Sequence, residues 1–493
     1  MFFWQGEIFL KSRAVSHCRF RVFHLGPLSW KRHRDRILPI ILTIDHLLHY
    51  YHMTVVFENG AGIMEAMKSA LLETIIPYCP PHGGGGKNKG NREVEREGLT
   101  VRQWQRIGGQ VMTLHEGYTG RGADFSQEQN PIHGAMAGYQ LYFSPRNMYR
   151  VYHMIRELPW NPLPGAELLR PWLKGEGAEA TLPILDLGSG AGAFSLAWLA
   201  WLAERFPGGH DAPRVELTLV DQGHQLLALA EANLHAFARR ALPGLKLEIQ
   251  TRADGVAGFL ANPSSPGRHG IVGAAMMLNE MTLLGPRRTS TRAQGLTEAF
   301  GRLVVEGGLV MLVEPGTRKG HMNLMTVRDN LTQWPILHPC PDNGPCPFWG
   351  GKVRNWCHAT LALPRGFFFD NLFKSLRILD FNMRHVNTAG LAFQAVKAAQ
   401  PNLPFQARIG NRIVSEAMRP KNRIKGGSPA AEEAQVLMAC SGNGRIVDIP
   451  AIGQPYPARG RWVDGDGKEM NTHPKGVKSH TKGRNPRTGG KGR

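Results

Sequence analysis

The chain has 493 residues, with 59 Lys and Arg against 39 Asp and Glu, a formal net charge of +20, and six cysteines. Hydrophobic residues make up 42%, enough for a large core, and this excludes a globally disordered chain. No run reaches the roughly 18 uncharged apolar residues of a membrane span; the nearest approach, ILPIILTIDHLL (37–48), is short and carries Asp45, so no membrane association is expected.

In chain order, residues 1–52 form an irregular basic N-terminal extension, acid-poor and Arg-rich. It reads either as a transit-like leader or as a stretch preceding a start at Met53. Residues 53–175 are expected to be a helical N-terminal domain, with GIMEAMKSALLETIIPY as its first helical stretch and a Gly-rich linker near 83–92. Ser144 followed by Pro145 reads as an N-cap with proline at the first helical position. Met148, Val151, Tyr152 and Ile155 then share one face.

From residue 182 strands and helices alternate: LPILDLG, AGAFSLAWLAWLAERF, RVELTLVD, QGHQLLALAEANLHAFARR, LKLEIQTRAD, GIVGAAMMLNE and GGLVMLVEPG. This predicts an α/β fold over 176–450, a doubly wound, mostly parallel, Rossmann-like sheet. Residues 451–493 are expected to be a flexible basic tail. Its last part, 474–493, holds seven Lys or Arg and no acid, a composition that suits phosphate contacts rather than a core.

The motif DLGSGAG joins the first strand to its helix. Gly188, Ser189, Gly190 and Gly192 are candidate cofactor contacts, but Gly188-x-Gly190-x-x-Ala193 also matches a dinucleotide fingerprint, so the glycines alone do not choose a ligand. Asp186, two residues earlier, opposes a pyrophosphate and favours a cationic aminoacyl ligand, S-adenosylmethionine over NAD. Asp221 ends the second strand, where an acid can accept ribose hydroxyls or cap the next helix. Asp254 ends the third and is placed to face an adenine amine. Asn279 and Glu280 lie at the carboxyl edge of the fourth strand; both are candidate catalytic residues and Asn279 a candidate cofactor contact. The Asn/Asp-Pro-Pro-aromatic tetrad of amino-directed nucleic-acid methylases does not stand there, so the catalytic edge is thin.

Three cysteines, Cys340, Cys346 and Cys357, fall in one polar loop within an expected cysteine-rich insertion (335–360), and Cys440 lies far downstream. With so few cysteines in the chain, a secreted disulfide framework is excluded, and metal binding or redox chemistry in a reducing compartment is favoured. The spacing alone does not choose between them.

These residues carry a resemblance. CPDNGPCPFWGGKVRNWCH resembles the signature of a methyltransferase-like family associated with the small ribosomal subunit of mitochondria and bacteria. The likeness continues through LDLGSGAG, MMLNEM, LVEPGTRKGHMNLMTVRDNL, RIVSEAMRP and MACSGNGRI, over roughly residues 130–450. It implies a [4Fe–4S] cluster on Cys340, Cys346, Cys357 and Cys440, with zinc as the alternative, and His358 beside the site. It further implies an assembly factor that binds ribosomal RNA. The alternatives are an active RNA methyltransferase or a cluster-gated iron or redox sensor. A monomer is expected, ribosome-associated in a bacterial cytoplasm or in the mitochondrial matrix.

Overall fold

The computed structural model describes residues 6–12, 15–22, 62–79, 98–119, 134–158, 160, 169–173, 180–263, 268–281, 291–340, 346, 348, 356–364, 366–377, 384–396 and four short strands beyond 410. The Gly-rich linker, the basic tail at 474–493 and most of the first 52 residues lie outside them. The chain divides into two compact units, Met1–Gly62 and Ile63–Arg493. Of the first, an antiparallel hairpin of β1 (Gly6–Ser12) and β2 (Val15–Val22) is described.

The second unit opens with α1 (62–75) and α2 (Val101–Thr119). Next, α3 (Met136–Gly138) passes through a π-helical turn (Tyr139–Phe143) into α4 (Ser144–Arg156). Ser144 is therefore not an N-cap: the helix is already running, and Phe143 ahead of it is helical. Proline at 145 removes one amide and crowds the carbonyl of Leu141, and a wider turn accommodates both. The stripe expected on this helix is present. Met148, Val151 and Ile155 are buried and Tyr152 half-buried.

After α5 (Arg170–Leu173), five strands alternate with helices: β3 (Thr181–Leu187), α6 (Ala193–Arg205), β4 (Arg214–Asp221), α7 (His224–Ala241), β5 (Leu247–Ala253), α8 (Val256–Ala261), β6 (His269–Ala275), α9 (Thr291–Leu303) and β7 (Val304–Pro315). Then come α10 (Arg318–Asn330), β8 (Ile336–His338), β9 (Ala359–Ala362), α11 (Asp370–Arg377) and β10 (His385–Gln394). The sheet order is β5-β4-β3-β6-β7-β10-β8, with β9 also on β10. β5 through β7 pair in parallel, whereas β10 is antiparallel to each of its partners. The mostly parallel α/β sheet expected from the sequence is thus present, with an antiparallel strand inserted towards one edge.

Period-two alternation assigns the two faces. Leu182, Ile184, Val215, Leu217, Leu219, Ile271, Leu309 and Met311 point into one core. Leu185, Leu187, Val220, Val272, Ala274, Val310 and Leu312 point into the other. The first core also contains Met67, Leu71, Trp104, Val111, Leu141 and Val151, so the helices before residue 175 share a core with the sheet. α6 lies in the middle of it, buried on all sides from Ala193 to Ala203. Four antiparallel strands, β11 (Asn411–Ile413), β12 (Val436–Cys440), β13 (Ile446–Pro450) and β14 (Trp462–Val463), make a separate sheet in the order β13-β12-β11-β14.

Candidate functional site

The chain leaves β3 towards β4 and β5 on one side, then returns to place β6 on the other. Ligands of open α/β sheets bind at such a reversal, outside the strands' carboxyl ends. The glycine turn stands there. Its amides at Gly188 and Ser189 donate to the Val220 carbonyl at 2.8 and 3.0 Å, clamping the turn onto the end of β4. Gly188, Gly190 and Gly192 all have positive φ, 65°, 52° and 82°. At Gly190 space adds a second demand, because a β-carbon there would sit 2.7 Å from the Tyr139 hydroxyl.

Asp221 ties the two strand ends together. Its Oδ2 accepts the Gly190 amide at 2.9 Å and its Oδ1 the Gly223 amide at 2.8 Å. The N-cap of α7 is Gly223, which makes no side-chain cap bond, so Asp221 serves the turn before the helix rather than capping it. Burial raises its carboxyl above the ordinary range, opposed by the two amides.

Asp186 is fully buried. Its Oδ2 accepts from the Ser195 amide and hydroxyl, at 3.2 and 2.8 Å, which fixes the first turn of α6. Burial pushes its pKa up to about 7. Oδ1 is buried with no hydrogen-bond partner among the described residues, as are Ser189 Oγ and Asn279 Oδ1. Asp254 is exposed at the end of β5, its carboxylate lying against Gly258 in the first turns of α8.

Beyond β6 the backbone is strained: Met276 adopts φ 66°, a left-handed conformation uncommon outside glycine. The following turn brings Met277 against Gly188 and presents Asn279 and Glu280 to the same edge. Fully buried Glu314, at the end of β7, holds that turn. Its two oxygens accept the Leu278 and Asn279 amides at 2.8 and 3.0 Å, and burial lifts its pKa to about 8. Asn323 on α10 donates to the Leu278 carbonyl at 2.6 Å. Glu280 is exposed, with protein packed around its carboxyl. Desolvation, with Asp221 adding to it and Lys319 opposing, raises it to about 7.

Motif reading did not find the residues that brace the turn from the helical side. Gln140, in the π turn, donates to Asn233 Oδ1 at 2.6 Å, and Asn233 donates to the Ala191 carbonyl at 3.0 Å; Thr74 donates to the same Asn233 oxygen. Gln140 and Asn233 are fully buried. Their partners come from four separate elements, so no local pattern announces them.

The thiols of Cys340, Cys346 and Cys357 gather beside β8. Cys340 and Cys346 pack on the second core, and all three are half-buried. Burial, then the charges that Cys340 and Cys357 would carry, pushes Cys346 up to about 12. Arg328, buried on α10, acts on Cys346 in the opposite sense. Trp356 donates to the Gly316 carbonyl at 2.9 Å, and His358 Nδ1 lies 3.2 Å from the Trp356 carbonyl. Among the described residues no three His, Cys, Asp or Glu side chains are set to hold a metal ion. Cys440 ends β12, paired by its backbone with Arg412 and Ile446, and its side chain lies outside what is described.

Residues 271–372 match the family model described as mitochondrial small ribosomal subunit Rsm22. Over that stretch the chain is similar to the Rsm22 family. The Rsm22 segment takes in Asn279, Glu280, Glu314 and the three-cysteine loop, and leaves out the glycine turn and Cys440. No curated protein matches the chain. Among solved structures it is similar to a protein described as a class I S-adenosylmethionine-dependent methyltransferase from Listeria monocytogenes, at 12% identity and a TM-score of 0.29, over 68% of this chain and 89% of that one. It is likewise similar to an arsenic(III) S-adenosylmethionine methyltransferase from Chlamydomonas reinhardtii, at 15% identity and a TM-score of 0.25, over 59% and 83%. At such scores the fold rests on the strand order alone. Among the described residues no helix is long and apolar enough to cross a membrane.

Proposed function

We propose that the chain binds S-adenosylmethionine at the glycine turn and serves the small ribosomal subunit as an RNA-binding assembly factor. One observation carries the ligand: the floor of the site is built of acceptors. Asp186, Asp221 and Glu280 converge on a turn whose Gly190 amide is already engaged by Asp221, and the buried Asn279 Oδ1, beside Glu280 in the chain, has no hydrogen-bond partner among the described residues. A pyrophosphate needs free backbone donors and no opposing carboxylates. An ammonium and sulfonium ligand suits this floor, with Asp221 and Asp254 left for ribose and adenine. The ribosomal assignment is supported by the Rsm22 segment and by the charge of +20.

In this reading Cys340, Cys346, Cys357 and Cys440 hold one [4Fe–4S] cluster, zinc being the alternative. Soft thiol donors in one half-buried loop suit either by their chemistry, although the described side chains are not set around an ion. When bound, such a centre supplies a rigid cross-link between the loop and β12. The chain's own contribution is to hold the loop through Trp356 on Gly316 and to keep the Arg328 charge beside Cys346.

A second reading, an active RNA methyltransferase, is favoured by one feature. Glu280, at about 7, is poised to accept a proton near neutrality.

Four measurements decide. Calorimetric titration with S-adenosylmethionine should show binding that Asp221→Ala weakens; binding of NAD instead overturns the ligand. Anaerobic purification with iron and sulfide quantitation should give about four of each per chain, as a [4Fe–4S] centre requires, and any Cys→Ser variant should abolish it. Binding to small-subunit RNA should weaken with salt, and deleting 474–493 should flatten that dependence by roughly 0.7 to 0.9 in slope for each phosphate the tail neutralises. A methyl-transfer assay on that RNA, repeated with Glu280→Gln, separates the two readings.

A further inference from the structure

We propose that Tyr139, delivered by the π turn, is the wall of the glycine-turn site that recognises positive charge on the ligand, acting with Glu280. This rests on the site being one for a sulfonium nucleoside.

The first support is position. The Tyr139 hydroxyl stands where a side chain on Gly190 would begin, 2.7 Å from that β-carbon position, so the ring borders the turn directly. The ring stacks on Phe143 at 6.2 Å and 20°, and Tyr118 meets Phe143 edge-on at 5.4 Å. Phe143 and, behind it, Tyr118 of α2 thus back the Tyr139 ring.

The second support is charge. Tyr139 feels Tyr118, Glu280, Asp221 and Asp186, neutral or negative groups throughout. The buried acceptors Asp186 Oδ1 and Asn279 Oδ1, with no hydrogen-bond partner among the described residues, belong to the same edge. An anion here would meet the carboxylates of Asp221 and Glu280. A cation gains from the carboxylates and from the aromatic faces, and the latter contribution grows where water is displaced.

The third support is how firmly Tyr139 is held. π turns are rare and concentrate at functional sites. Pro145 accounts for the wider helix, but the turn is also pinned by Gln140, next to Tyr139, through Asn233 to the Ala191 carbonyl of the glycine turn itself. One turn of helix therefore fixes both the loop and the ring that faces it.

The test compares S-adenosylmethionine with S-adenosylhomocysteine, which lacks the methyl group and the positive charge, by titration calorimetry on the full chain. The quantity read is the ratio of the two affinities. Tyr139→Leu should lower the preference for the charged ligand about tenfold, and Tyr139→Phe, which keeps the ring and removes the hydroxyl that faces Gly190, should lower it less. Glu280→Gln should lower it several-fold. If Tyr139→Leu and Glu280→Gln leave the ratio unchanged, or weaken both ligands equally, the role of Tyr139 is overturned while the nucleoside site stands. If the folded wild-type chain binds neither ligand, the underlying reading fails first. Thermal melting reports on folding, and Glu280→Gln, at an exposed position, decides the question should Tyr139→Leu not fold.

Discussion

Asp221 Oδ2 accepts the amide of Gly190 at 2.9 Å, so the end of one strand holds the turn that follows its neighbour. The same carboxylate's other oxygen accepts the Gly223 amide. Asp221→Ala therefore strands two amides, each costing about 1 to 3 kcal/mol where it is shielded from water. Asp221→Asn keeps one acceptor and should lose about half as much. Urea unfolding of the three proteins checks the order.

Gly190→Ala meets two obstacles, a φ of 52° and the Tyr139 hydroxyl 2.7 Å away. The backbone alone costs roughly 1 to 2 kcal/mol. Adding Tyr139→Phe removes the clashing oxygen, so the double variant should recover part of the stability that Gly190→Ala forfeits. Melting temperatures of the single and double variants measure the recovery; strict additivity would mean the two residues do not meet.

Asn233 serves Gln140, Thr74 and the Ala191 carbonyl at once from a fully buried position. Asn233→Leu leaves these groups without partners and should destabilise the chain by about 2 to 4 kcal/mol. Hydrogen exchange should show the loosening at residues 188–192 as well as in α7, which separates a brace on the glycine turn from a purely local effect.

Glu314, at about 8, and Asp186, at about 7, are raised by burial above their ordinary values of 4.5 and 3.8. Each native state holds a proton that the unfolded chain has released. Their contribution to stability is therefore full below about pH 4 and is lost as pH rises towards 7 for Asp186 and 8 for Glu314. Unfolding midpoints between about pH 5 and 8 should fall, and Glu314→Gln, which cannot ionise, should make the fall shallower. A slope unchanged in that variant would assign the pH dependence elsewhere.

Cys346, pushed up to about 12, stays a neutral thiol near neutrality in the metal-free chain. Mass spectrometry after iodoacetamide at about pH 7.5 should find it unmodified in the folded chain and modified after denaturation, since the thiolate is the reactive form.

The strands of the sheet were legible because their apolar runs end at glycines and acids, and Leu182, Ile184, Leu185 and Leu187 alternate faces as an embedded strand requires. Asp221 and the glycines were legible for the same reason: a strand–turn–helix junction concentrates its chemistry within a few residues. Glu314 stands in the strand end LVEPG, yet nothing local says that its oxygens reach Leu278 and Asn279, 36 and 35 residues away. Tyr139 and Gln140 were hidden further, because the π turn that aims them breaks the helical period on which pattern reading depends. Ser144 misled in the opposite way. A Ser-Pro pair signals a helix start only when no helix precedes it, and here one does.

β10 pairs with His338 of β8 through Ala392 and with Ala359 of β9 through Thr388. The cysteine loop thus leaves and rejoins the sheet at two points on one strand. Closing a loop of about twenty residues costs chain entropy that grows only slowly with length, and here hydrogen bonds of the sheet meet that cost before any ion arrives. An incoming metal has only the loop thiols and Cys440 of β12 left to bring together, so the loop should lose less order on release than a loop that the metal itself must gather.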